Sequence, residues 1–237
     1  MQSTESNRWL NYSRNLYQRL LPEPLRNRLH HSPFLQSILP GRSEEQIPYV
    51  LLTERHIANL QVVLNRNALL AALPQDAIVA EIGVAQGDFS KRILQYANPR
   101  KLHLIDVWDS ERYHSGLQQV VADKLGGEID SGRVQINFGY STDVLPKFED
   151  HYFDWVYIDT DHTYKTTRRE LEICAKKVKP GGIIAGHDYI TGDWKMHNRY
   201  GVVEAVNEFC VTHGWELVFT TYETHRHLSY AIREIPK

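Results

Sequence analysis

From residue 76 onward the sequence predicts an α/β fold, a doubly wound and mostly parallel sheet, behind a helical extension over residues 1–75. Three observations predict it. Short apolar runs alternate with longer amphipathic stretches, which is the pattern of strands feeding crossover helices. The last two runs are joined by a turn-length gap with no helix, and such a short return is possible only for antiparallel neighbours. A glycine turn closes the first run and an acid ends the second, the order found where a sheet edge binds a nucleotide.

The elements follow in chain order. Within the extension, Trp9, Leu10, Leu16, Tyr17, Leu20 and Leu21 recur at helical spacing among arginines until Pro22 and Pro24 interrupt them. A second helix is expected from His56 to Leu73, with Ile57, Leu60, Val63, Leu64 and Leu70 on one face. This extension suits packing on its own domain, a dimer contact or a lid. Attachment to a membrane surface is the lesser reading. The strand candidates are AIVAEIG, KLHLIDVW, RVQINFG, FDWVYID, GGIIAGHD, WELVFTT and LSYAIRE. Helices are expected near 88–97, 111–126, 141–147, 164–178 and 201–213, so residues 76–237 form one domain.

Composition narrows the class. A net charge of -2 gives no reason to expect a nucleic-acid partner. No apolar stretch reaches the length of a membrane span, and the N-terminus lacks the apolar core of a secretory signal. The two cysteines, Cys174 and Cys210, fall in separate helix candidates and read as small core residues in a reducing compartment, which points to the cytoplasm.

The chemistry concentrates at strand ends. Glu81, Gly83 and Gly87 close the first strand and open the first helix, where glycine lets the backbone approach a ligand and the helix adds a positive end. Asp106, ending the second strand, is placed to accept from ribose hydroxyls. Glu81 stands where a dinucleotide loop would have glycine. A carboxylate there repels phosphate but suits a ligand bearing ammonium or sulfonium charge. Asp159, Asp161 and His162 follow the fourth strand, and His187 and Asp188 the fifth. Parallel neighbours would deliver both groups to one edge, where carboxylates make natural ligands for a hard divalent ion such as Mg²⁺. Capping of helix 164–178 accounts for Asp161 or Thr163 but not for all five residues. Aromatic loops from Trp108 to Tyr113 and from Tyr189 to Tyr200 flank the edge, with Trp108, Trp194, His197 and Tyr200 as substrate-lid candidates. The remaining histidines, including His30, His31, His225 and His227, read as solvated or packed.

AEIGVAQGDFS, LIDVW, FDWVYIDTDHTY and KPGGIIAGHDY, in that order, resemble the class I S-adenosylmethionine-dependent methyltransferases. The later motifs resemble the metal-dependent branch that methylates hydroxyl oxygens of small molecules. The resemblance covers roughly residues 76–235. It implies a seven-stranded Rossmann-like sheet ending in an antiparallel strand, with S-adenosylmethionine and Mg²⁺ as cofactors. It also implies that Glu81, Gly83 and Gly87 line the methionine end, that Asp106 holds the ribose and that Ser141 lies near the adenine. Asp159 and Asp188 become metal ligands and His162 the general base. Asp161 and His187 are candidates for a supporting or third ligand. The expected acceptor is a small hydroxylated molecule. The alternatives are a nicotinamide-dependent oxidoreductase, a hydroxylase sharing the aspartate–histidine motifs, and a non-catalytic protein that binds S-adenosylmethionine.

Overall fold

The computed structural model describes residues 47–110, 113–193, 198–223 and 227–236. The amphipathic stretch around Trp9–Leu21, His30, His31, Trp194, His197 and His225 lie outside the described residues. The compact unit that holds the sheet runs from Ile47 to Lys237.

Ten strands and seven α-helices make up the described part. The strands are β1 (Gln61–Val63), β2 (Ile78–Ile82), β3 (Lys101–Asp106), β4 (Val134–Phe138), β5 (Phe153–Ile158), β6 (Val178–Gly186), β7 (Gly192–Asp193), β8 (Asn198–Arg199), β9 (Trp215–Thr221) and β10 (Tyr230–Glu234). The helices are α1 (Arg66–Ala72), α2 (Asp88–Arg92), α3 (Gly116–Lys124), α4 (Gly126–Asp130), α5 (Ser141–Val144), α6 (Tyr164–Lys177) and α7 (Val202–His213). A π-turn, Ile93–Ala97, prolongs α2.

Eight strands form one sheet in the order β1-β9-β10-β6-β5-β2-β3-β4, and β7 and β8 form a separate two-stranded ribbon. Seven strands of the large sheet are those read from the sequence. β10 lies antiparallel between β9 and β6, as the missing crossover helix required, and all other pairings in the sheet are parallel.

The eighth strand corrects the reading of 56–73 as one helix. A 3-10 turn at Glu54–His56 is followed by β1, which pairs with β9 from Gln61↔Phe219 to Val63↔Thr221. Only then does α1 begin, where the Asn65 side chain caps it by accepting from Ala68 N at 3.0 Å. The apolar spacing fitted a helix, but Asn65 offers a better start signal than continuation, and sheet pairing decides the rest.

Period-2 alternation sends strand side chains to both faces. In β5, Val156 and Ile158 pack with Leu171 and Cys174 of α6 and with Val206 and Phe209 of α7. Trp155 and Tyr157 face the other way, toward Leu69 and Leu70 of α1, Ile93 and Val121. Burial on both faces explains why FDWVYI reads as a nearly unbroken apolar run. Cys174 and Cys210 are free thiols buried in the first of these layers.

Candidate active site

The carboxyl ends of β2, β3, β5 and β6 open on one edge of the sheet, and short backbone bridges hold them together. Gly83 N donates to Ile105 O at 2.9 Å, Asp159 N to Ile82 O at 2.8 Å, and His187 N to Ile158 O at 2.9 Å. A cleft of about 590 Å³ lies along this edge, within the usual range for a small-molecule site.

The β2–α2 turn forms its floor. Gly83 has φ +86°, and a Cβ there would lie 2.0 Å from the carbonyl oxygen of Asp159. Glycine is therefore required for β2 and β5 to approach this closely. Gly87 caps α2 in the left-handed region at φ +77°. Ala85, Trp108, His162 and Asp188 also have positive φ, between +44° and +61°. Such conformations cost about 1–3 kcal/mol each and cluster where surrounding structure enforces them.

Glu81 is buried beneath this turn. Ser90 Oγ donates to its Oε2 at 2.5 Å, while Oε1 has no partner among the described residues. Burial, with Asp159 and Asp106 nearby, raises its pKa well above the usual carboxylate value despite the Ser90 hydrogen bond. An unpaired, buried acceptor beside a ligand-sized cleft fits an ammonium donor.

Asp106 is more committed than its position suggested. Its Oδ2 accepts from Val84 N at 2.7 Å and Ala85 N at 3.0 Å, and Oδ1 accepts from Trp108 N at 2.9 Å. A carboxylate has about four acceptor positions, so little capacity remains for two ribose hydroxyls at once. Asp106 first of all shapes the loop. Trp108 is also fixed rather than lid-like: it is buried, donates Nε1–H to Ala85 O at 2.7 Å, and stacks near Phe138.

Ser141, at the start of α5, lines the cleft and donates to Glu170 Oε1 at 2.6 Å. Thr160 Oγ1 donates to the other oxygen of Glu170 at 2.9 Å. Burial pushes Glu170 up to about 7, against the pull of these two hydroxyls. Glu170 carried no signal in the sequence beyond its place in a helix.

Asp159, His162 and Asp188 converge, with one potential ligand atom from each lying within 4.8 Å of the others. His162 Nε2 lies 3.1 Å from Asp188 Oδ2, and His187 Nδ1 lies 3.2 Å from Asp188 Oδ1 and 3.9 Å from Asp159 Oδ2. His187 Nε2 is buried without a hydrogen-bond partner. Burial would raise the pKa of Asp188, but the hydrogen bond from His187 and the charges of His187, His162 and His227 outweigh it and hold it at about 2. Asp159 is raised by burial and by Asp188, against the opposing pull of the histidines and Arg66. Two carboxylates and an imidazole at this spacing suit a divalent cation.

Asp161 stands apart from this group. Its Oδ1 accepts from Thr163 N and Thr163 Oγ1, and Oδ2 accepts from Thr166 Oγ1 at 2.8 Å. It supports the cap of α6, the alternative that its sequence position allowed. Tyr200 reaches the site, its ring 4.8 Å from that of His162 and 5.8 Å from that of His227.

Two contributors were missed. His227 Nδ1 contacts Asp188 Oδ1 directly. The signal was available in the register. Tyr230 pairs with Gly186, so the residues before β10 must lie beside those after β6, and Tyr189 N donates to Leu228 O at 2.9 Å. Arg66, from a segment without a motif, lies 3.8 Å from Asp159 Oδ2 and 5.0 Å over the ring of Phe89.

Residues 80–189 match a sequence family described as a methyltransferase domain. The matched segment is just under half of the chain and runs from β2 past Asp188. No curated protein matches. Among solved structures, the pyocyanin biosynthetic protein PhzM is 15% identical with a TM-score of 0.53, over 68% of this chain and 51% of its own. The chain thus spans about half the length of that protein. A candidate rRNA methylase from Clostridium thermocellum is 15% identical with a TM-score of 0.55, over 79% of this chain and 99% of its own. A candidate methyltransferase from Streptococcus mutans, solved in complex with S-adenosylhomocysteine, is 13% identical with a TM-score of 0.53, over 72% of this chain and 96% of its own. These likenesses establish the Rossmann-like methyltransferase fold. The family match, described as a methyltransferase domain, lies within that fold from β2 past Asp188.

Proposed function

We propose that this protein transfers a methyl group from S-adenosylmethionine to a hydroxyl oxygen of a small molecule, using Asp159 and Asp188 to hold a divalent cation and His162 as the base. The observation that carries the reading is the convergence of Asp159, His162 and Asp188 beside the cleft. Methyl transfer is an in-line displacement, so the protein must align an oxygen nucleophile and take its proton. A divalent cation, Mg²⁺ in the simplest case, supplies Lewis acidity that makes such a hydroxyl easier to deprotonate. Asp188 is suited to hold it because it stays ionised over the whole ordinary pH range. His162 Nε2, turned toward Asp188, leaves Nδ1 as the nitrogen that takes a proton.

Charge narrows the acceptor class. Seven carboxylate residues line the cleft: Glu81, Asp88, Asp106, Asp109, Asp159, Asp161 and Glu170. That lining opposes a polyanion such as RNA and is compatible with a neutral hydroxylated acceptor beside a cationic methyl donor. Tyr200 and His162 give the acceptor an aromatic wall. The test is methylation of hydroxylated small molecules with and without Mg²⁺, in wild type and His162→Ala. The variant should keep S-adenosylhomocysteine affinity and lose about 10²–10⁴-fold in turnover. Unchanged turnover removes His162 from the reaction, and activity in chelator removes the cation.

A further inference from the structure

We propose that Arg66 recognises the carboxylate at the amino-acid end of the methyl donor, and so makes the cleft selective for donors that carry one. The proposal rests on the S-adenosylmethionine reading above. That molecule brings a sulfonium and an ammonium, which the acidic cleft attracts, and a carboxylate, which the same acids repel. Among the described residues, the cleft lining contains no lysine or arginine. A carboxylate settling beside those acids is favoured by a cation just behind the wall.

Arg66 is that cation. It begins α1, and its side chain is only 15% exposed. The guanidinium rests over Phe89 and lies 3.8 Å from Asp159 Oδ2, and both residues line the cleft. At 3.8 Å the contact with Asp159 is a charge interaction and not a hydrogen bond. Arg66 Nε is buried with no partner. The guanidinium therefore keeps unspent donor capacity beside the cleft wall. Arg66 also acts electrostatically on Glu81 and on the buried Tyr157. Among the described residues Lys124 also lies at the β2–α2 turn, where it already donates to Gln86 O and Asp88 Oδ1.

The experiment is a pair of calorimetric titrations, with S-adenosylhomocysteine and with its decarboxylated form, S-adenosyl-3-thiopropylamine. Wild type should bind the carboxylate-bearing ligand on the order of 10- to 100-fold more tightly, the range expected for a charge-assisted hydrogen-bonded pair. In Arg66→Met the preference should fall to within about 3-fold, chiefly through weaker S-adenosylhomocysteine binding. If Arg66 only balanced the charge of Asp159, both affinities would fall alike and the preference would survive, which would overturn the proposal. Equal binding of both ligands by wild type would overturn it without any variant, so a folding defect in Arg66→Met leaves the question decidable. Wild type binding neither ligand would sink the cofactor reading itself, a result distinct from binding without preference.

Discussion

Glu81→Gln separates the cost of the buried acid from its use. In the ligand-free protein Glu81 is almost fully buried, with one oxygen held by Ser90 and the other unpaired. Its pKa lies well above 4.5, chiefly through burial. A carboxyl group raised in the folded state contributes stability that is fully present below its unfolded value and is lost as pH rises through the folded value. Wild type should therefore lose stability relative to Glu81→Gln as pH climbs from about 4.5. The gap in Tm between the two should widen in favour of the variant up to the folded pKa. Glutamine is nearly isosteric and can still accept from Ser90, so packing changes little. In the complex the sign reverses, because the carboxylate gains the donor's ammonium. Truncating one partner of a buried charged pair costs about 3 kcal/mol, on the order of 100-fold in Kd. The assays are thermal melts between pH 4 and 8 and a titration with S-adenosylhomocysteine at pH 7.5. A Tm gap that does not change with pH, or an unaltered Kd, refutes the reasoning.

Further outcomes test the rest of the site. Gly83→Ala must place a Cβ 2.0 Å from the Asp159 carbonyl oxygen in a left-handed residue. The two effects together should cost at least about 3 kcal/mol, roughly a 6–12 °C fall in Tm, and an unchanged melt would mean that β2 and β5 are not so closely apposed. Asp188 is held at about 2, so the stability it contributes is present above 3.8 and is lost as pH falls through about 2. Asp188→Asn should therefore be less stable than wild type by roughly 2 kcal/mol at pH 6, with the gap closing between about pH 4 and pH 2. Glu170, raised to about 7, has the opposite sign. Glu170→Gln should gain on wild type as pH rises from 5 to 8, and denaturant melts at those two pH values check it.

Most of the sheet was legible because its central strands are buried on both faces and its longer helices, α6 and α7, show a period. The antiparallel direction of β10 followed from the absence of a crossover helix before it, while its insertion between β9 and β6 did not. β1 was not legible: three residues, QVV, carry no alternation of their own, and their strand state comes from pairing with β9. The glycine turn and the strand-end acids were visible because each combines a special residue type with an element boundary. What those acids do inside the protein was less visible. Asp106 and Asp161 spend their oxygens on nearby backbone and hydroxyl donors, and no spacing rule separates that use from ligand binding. His227 and Arg66 reach the site through sheet register and helix placement, which are long-range consequences of the fold.

The most direct test of the central claim is a calorimetric titration of the full chain with S-adenosylhomocysteine, with and without Mg²⁺, and with NAD as the control ligand. Binding of S-adenosylhomocysteine at 1:1 with no heat from NAD is the predicted result, since Glu81 and its neighbouring acids favour an ammonium and repel a pyrophosphate. Binding of NAD with no response to S-adenosylhomocysteine would contradict the account and move the protein to the nicotinamide-dependent oxidoreductases.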